Sequence, residues 1–82
     1  MTRDEITAVL KANIVDTLDD IDEDSIDTSK TMKETGANSL DIVEIVSRTM
    51  RQLKVKIPRS ELNQLENIDA LIDLIEKTAN SK

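Results

Sequence analysis

GANSLDIVEIVSRTMRQL, residues 36–53, reads as the end of a loop running into an amphipathic helix. From Ser39 to Leu53 the side chains of Ile42, Ile45, Val46, Thr49 and Leu53 fall on one face at the 3.6-residue period, with Val43 and Met50 at its flanks. Leu40 falls nearly opposite that face. Gly36 is the only glycine in the chain and stands just before the helix start, where a turn can require positive φ. Most of a helix's stability in a protein comes from packing its apolar face, so matching stripes are expected elsewhere in the chain.

They are present on both sides. Toward the N-terminus, Ile6, Val9, Leu10, Ile14 and Leu18 recur at three- and four-residue spacings, and Thr2 with Glu5 reads as a capping box, predicting a helix over roughly residues 3–18. Toward the C-terminus, Val55-Lys56-Ile57-Pro58 is a short extended connector whose proline ends one run and can open a new helical turn. Arg59 to Leu65 suits a short helix with Leu62 and Leu65 inward. Asn67 is a good N-cap for a last helix with the stripe Ile68, Leu71, Ile72 and Ile75, ending near Ala79. Residues 19–38, DDIDEDSIDTSKTMKETGAN, hold no sustained period and read as a long ordered loop anchored by Ile21, Ile26 and Met32. No segment reads as a strand. The fold class is all-α: a small four-helix bundle with three longer helices, one short helix and a long first loop. Its core is aliphatic, each fully buried side chain contributing roughly 1.5–3 kcal/mol.

Composition narrows the chemistry. The 82 residues include no Cys and no His, so disulfides, thiol nucleophiles, Cys-based zinc sites and His-based triads cannot be built. Phe, Tyr and Trp are absent and the net charge is -6, which opposes base stacking and phosphate contact and argues against a nucleic-acid partner. The N-terminus carries no long apolar run, so the expectation is a soluble, cytoplasmic, monomeric protein with no membrane partner. The charge is uneven: residues 1–41 hold 11 acids against 4 bases, and residues 42–82 hold 6 against 7, an asymmetry that bears on partners more than on fold. Asp20, Asp22 and Asp24 have the opening spacing of a calcium-binding EF-hand loop, but Ser25 stands where the turn glycine is needed and Thr31 where the bidentate Glu is needed. The expectation is therefore no defined metal site, only loose divalent binding that relieves repulsion among Asp16, Asp19, Asp20, Asp22 and Asp24.

One position could carry chemistry. Ser39 lies where the loop opens into a helix, and a helix N-terminus offers unpaired N–H groups and partial positive charge suited to a phosphate. The plainer alternative is that Ser39 or Asn38 only caps the helix, as both residue types commonly do.

The Gly36-Ala37-Asn38-Ser39-Leu40-Asp41 segment resembles the acyl carrier protein family, whose hallmark at this place is Gly-x-Asp-Ser-Leu. The chain length, the long first loop, the Ile57-Pro58 connector and the closing Ile68-Asp69-Ala70-Leu71-Ile72-Asp73-Leu74-Ile75 pattern are similar too, so the resemblance spans nearly the whole sequence. It implies that residues 1–82 form one acyl carrier domain with no catalytic residue of its own. It implies that a phosphopantetheinyl transferase moves 4'-phosphopantetheine from coenzyme A onto Ser39, and that the arm's thiol then carries acyl thioesters supplied by an acyltransferase or passed to a ketosynthase. By the same resemblance Asn38, Leu40, Asp41, Val43, Glu44 and Ser47 would face partner enzymes. Leu40 could equally be an ordinary exposed leucine, and Asp41 and Glu44 could simply complement the helix N-terminus.

Two features depart from the family pattern. Asn38 replaces the usual Asp, keeping a cap but losing a charge, and Thr35 stands where Leu is common. Further along, Arg48, Arg51 and Lys54 point outward, followed by Lys56 and Arg59, where fatty-acid carriers tend to be acidic; Arg48 and Arg51 are accordingly read as partner contacts of altered sign. The local alternative is that these bases complement the helix C-terminus and that Glu44 and Arg48 form an i,i+4 pair. The GANSLD form of the motif resembles carriers of β-branching cassettes, as in curacin assembly. That implies a free-standing polyketide carrier presenting acetyl to an enzyme similar to hydroxymethylglutaryl-CoA synthase. A fatty-acid carrier and a peptidyl or D-alanyl carrier are the nearest rivals; a cofactor-free helical adaptor is the rival of another class.

Overall fold

The computed structural model describes residues 2–62 and 67–80, with the backbone alone at 59 and 62. Among these residues the helices are, in order, α1 (Arg3–Leu18), α2 (Met32–Thr35), α3 (Ser39–Leu53), α4 (Arg59–Leu62) and α5 (Ile68–Asn80), with a 3-10 turn at Glu23–Ser25 between the first two. No strand occurs among the described residues. Helices α1 and α3 have the bounds their periodicity predicts, and α5 runs one residue past the expected end. The expected helix over residues 59–65 is seen as α4; the inward orientation expected of Leu62 and Leu65 lies outside the described residues.

Helix α1 packs chiefly on α3 and then on α5. Ile6, Leu10 and Ile14 of α1 meet Ile45 and Val46 of α3 and Ile68, Leu71, Ile72 and Ile75 of α5, all buried. Val55 and Ile57 of the connector close the same core. One member of the α1–α3 seam is polar. Asn13 is buried, and its Nδ2 donates to Thr49 Oγ1 at 2.9 Å and to Gln52 Oε1 at 2.9 Å. The Thr49 hydroxyl in turn donates to the Ile45 carbonyl at 2.8 Å. A buried amide with acceptors on both its donors avoids the desolvation penalty of an orphaned one.

The segment over residues 19–38 is ordered but is not free of helix, as its lack of period had suggested. Thr31 and Glu34 form a complete capping box: Glu34 N–H donates to Thr31 Oγ1 at 3.0 Å, and Thr31 N–H to Glu34 Oε1 at 3.5 Å. Gly36, at φ +117°, ends the turn, so α2 is a single turn with a signal at each end. One turn is too short for an apolar period to register, and the signal lay in the caps. Thr35, which stands where the family commonly has Leu, donates from Oγ1 to the Thr31 carbonyl at 3.0 Å. Ile26 and Met32 are buried anchors, and Ile21 is half-buried against the core. The loop is also held by its backbone: the first amides of α5, at Ile68 and Asp69, donate to the carbonyls of Lys30 (3.0 Å) and Thr28 (2.8 Å). Asn67 caps α5 as expected, its Oδ1 accepting from Ala70 N–H at 2.8 Å. At α1 only half of the expected box is present: Thr2 Oγ1 accepts from Glu5 N–H at 3.2 Å, and the reciprocal bond is not among the described contacts.

Candidate functional site

Asn38 and Asp41 fix the start of α3. The Asp41 N–H donates to Asn38 Oδ1 at 2.9 Å and the Asn38 N–H donates to Asp41 Oδ2 at 3.2 Å. Asn38 is thus the cap, and Ser39 is the first helical residue. The capping alternative holds for Asn38 and not for Ser39. Ser39 is exposed, and among the described residues nothing hydrogen-bonds its hydroxyl. Division of labour between adjacent residues leaves the Ser39 oxygen available while Asn38 takes the Asp41 amide.

Ser39 stands at the edge of a cleft of about 780 Å³. The cleft is lined by Ile42, Val43, Val46 and Met50 of α3, by Met32 and Lys33 of α2, and by Ile57, Ile68 and Leu71 from further along the chain. Ser47, half-buried, lines it too. The α3 part of this lining was readable from periodicity. Met32, Ile57, Ile68 and Leu71 arrive from three other segments, and no local signal marks them as neighbours of Ser39.

The remaining expected contact residues take different positions. Leu40 is 81% exposed and Val43 49%, so two apolar side chains flank the serine in solvent. Asp41 is half-buried and engaged in the cap; Glu44 is exposed. Arg48 does not simply face outward: it ion-pairs with Asp16 on α1 and with Glu44 at 3.3 Å, bridging two helices. The Asp16 hydrogen bond, and then the Asp16 charge, raise its guanidinium pKa further. The i,i+4 alternative therefore holds for Arg48, whose charge is taken up within the molecule. Arg51 is exposed.

A phosphodiester on Ser39 fits this arrangement. The hydroxyl is accessible, the first turn of α3 presents amide N–H groups and positive dipole, and an apolar cleft opens beside it. Among the described residues no three acidic side chains gather as a bound cation would need, and no helix is long and apolar enough to cross a membrane.

Comparison with known proteins points the same way. The family model described as "Phosphopantetheine attachment site" matches residues 8–75. A polyketide biosynthesis acyl-carrier-protein, AcpK, of Bacillus subtilis is 33% identical over 75 residues, covering 92% of each chain. The acyl carrier protein of Campylobacter concisus is 41% identical over 49 residues, 60% of this chain and 64% of that one. The acyl carrier protein of Borreliella burgdorferi is 29% identical over 77 residues, 94% of this chain and 96% of that one. No solved structure matches at the same stringency. A family model spanning most of the sequence, over a helical bundle with an exposed serine opening its central helix, places this chain in the phosphopantetheine-attachment family, as an acyl carrier protein that serves enzymes and is not one itself.

Proposed function

We propose that Ser39 is the attachment residue, that residues 1–82 work as one cytoplasmic, monomeric carrier domain, and that the pathway served is polyketide assembly. The observation that carries the site is the Asn38 cap: it takes the Asp41 amide and leaves the Ser39 hydroxyl unengaged beside a largely apolar cleft. The arm supplies a terminal thiol that holds acyl groups as thioesters. The chain's own part is positional. The N-terminal turn of α3 favours the phosphodiester's negative charge, exposed Leu40 and Val43 offer an apolar contact beside it, and Asp41 keeps that turn rigid.

The polyketide assignment draws on the similarity to AcpK, whose own name states that role. The narrower reading, an acetyl donor to an enzyme similar to hydroxymethylglutaryl-CoA synthase, rests on the GANSLD form of the motif with Asn38 in place of Asp.

Incubation with coenzyme A and a promiscuous phosphopantetheinyl transferase, read by intact mass, tests the site. One phosphopantetheine on the wild type and none on Ser39→Ala is the expected pair of results. Modification of Ser39→Ala would move the site, and no gain on a folded wild type would favour the cofactor-free adaptor. The pathway is tested by acetyl loading followed by reaction with a β-branching synthase. A typical fatty-acid carrier working equally well there would remove the narrower reading.

A further inference from the structure

A second cleft, of about 420 Å³, lies at the opposite end of α3 from Ser39. Met50 and Val55 contribute apolar walls, Arg51, Lys54 and Lys56 surround them, and Thr78 of α5 closes one side. Three cations from a helix end and the connector after it thus border one concavity, in a chain whose net charge is -6. Arg48, one turn earlier, is consumed by Asp16 and Glu44. Arg51 and Lys56 are exposed, and among the described residues neither forms an ion pair. Acids outnumber bases in the molecule, yet no acid among the described residues pairs with either of these two charges beside the apolar walls of the cleft.

Placement relates this cleft to the serine. Leu40, Ser47 and Arg51 recur at seven and four residues, so they share one stripe of α3. Arg51 sits about 18 Å along the helix from Ser39 at the usual rise per residue. A protein that covers Leu40 to receive the arm therefore extends naturally onto Arg51.

We propose that the Arg51–Lys56 cleft is the second half of a bipolar docking face, and that it takes an acidic patch with an apolar side chain at its centre on the partner enzyme. The partner's face carries an apolar socket for Leu40 at one end and carboxylates for Arg51 and Lys56 at the other. The inference rests on the carrier reading, since the arm defines which partners approach. Complementary charge of this kind sets encounter rate and partner choice more than final affinity. A partner with a basic surface at that end is repelled.

The test uses the full chain, 15N-labelled and loaded with phosphopantetheine, the loading being measured by intact mass for each variant. It is titrated with a glutamate-rich peptide bearing one central leucine, and separately with the same peptide carrying lysine for glutamate. Amide shifts at Met50, Arg51, Val55, Lys56 and Thr78 are expected with the acidic peptide only. R51E/K56E should weaken that binding by about tenfold, and R51Q/K56Q by less, as expected for losing or reversing two exposed charge pairs. With a fatty-acid acyltransferase that docks through a basic surface, R51E/K56E should raise kcat/KM over the wild type. Shifts elsewhere, or binding unchanged in both variants, would overturn the proposal. Absence of the arm in the mass spectrum of the wild type would instead count against the carrier reading.

Discussion

Replacing Asn38 by Ala removes the acceptor for the Asp41 amide, and the expected loss is about 1 kcal/mol, read as a lower thermal midpoint. Asn38→Asp keeps an acceptor there and should stay within about 0.5 kcal/mol of the wild type. Ser39→Ala should behave in the opposite way to Asn38→Ala. On the proposed site it should abolish attachment yet leave the midpoint nearly unchanged, because the hydroxyl supports no contact among the described residues. A large loss of stability in Ser39→Ala would mean that the serine, too, holds the helix end. Gly36 supplies a third case. Among the described residues no atom beyond its chain neighbours lies within 4 Å of a Cβ built there, so Gly36→Ala meets no clash with them, and its cost comes from the φ of +117°. About 1–2 kcal/mol is expected, measured by denaturant unfolding.

At the scale of elements, the seam between α1 and α3 is fastened by the Asn13–Thr49–Gln52 hydrogen bonds within an otherwise aliphatic contact. Thr49→Val keeps the shape but takes away one acceptor of the Asn13 amide, at an expected cost of about 1–3 kcal/mol. A double-mutant cycle with Asn13→Leu should return a coupling of about 0.5–3 kcal/mol; additive effects would mean the two side chains are energetically independent. The periodicity of α1 gave its bounds and the stripe members Ile6, Leu10, Ile14 and Leu18; Val9, expected on that stripe, is not among the side chains packed on the core, Val15 is, and Asn13 was invisible as a core residue. Its burial depends on Thr49 and Gln52 arriving opposite it, from residues 36 and 39 positions away. Helix α2 teaches a different lesson. Thr31-x-x-Glu34 ending at Gly36 is a complete pair of helix signals, legible in the sequence to a reader searching for caps instead of stripes.

Over the whole molecule, charge governs the response to solution conditions. Asp27 holds its proton less readily than a free carboxylate, chiefly because Ser29 Oγ–H donates to it at 2.6 Å and the Ser29 amide at 2.9 Å. A carboxylate with a lowered folded pKa gives stability that is present above the usual carboxylate range and is lost as pH falls through the lowered value. Stability measured across that acid range should therefore decline less steeply in Asp27→Asn than in the wild type. The net charge of -6, concentrated in the first half, also repels itself, so added salt should raise the thermal midpoint. Calcium and magnesium should act alike and gradually in the millimolar range. A saturating micromolar response to calcium alone would contradict the reading of the acidic segment as a loop with no defined metal site.

Local rules operate over a few residues, and what those rules cover was determined by the sequence itself: the bounds of α1 and α3, the Asn67 cap of α5, the turn at Gly36, the outward position of Leu40 and the absence of His and Cys chemistry. Each follows from side-chain periodicity, backbone stereochemistry or composition, none of which needs a distant partner. The tertiary structure alone decided which exposed charges are spent and which remain. Arg48 and Arg51 look alike in the sequence, three residues apart on one helix. Asp16, brought over from α1, engages Arg48, while among the described residues nothing ion-pairs with Arg51. The cleft at Ser39 was likewise beyond local reading, because Met32, Ile57, Ile68 and Leu71 become its walls only when the loop carbonyls of Thr28 and Lys30 dock on the first turn of α5. Proximity between segments far apart in sequence is a property of packing, and a sequence pattern records only which faces are able to pack.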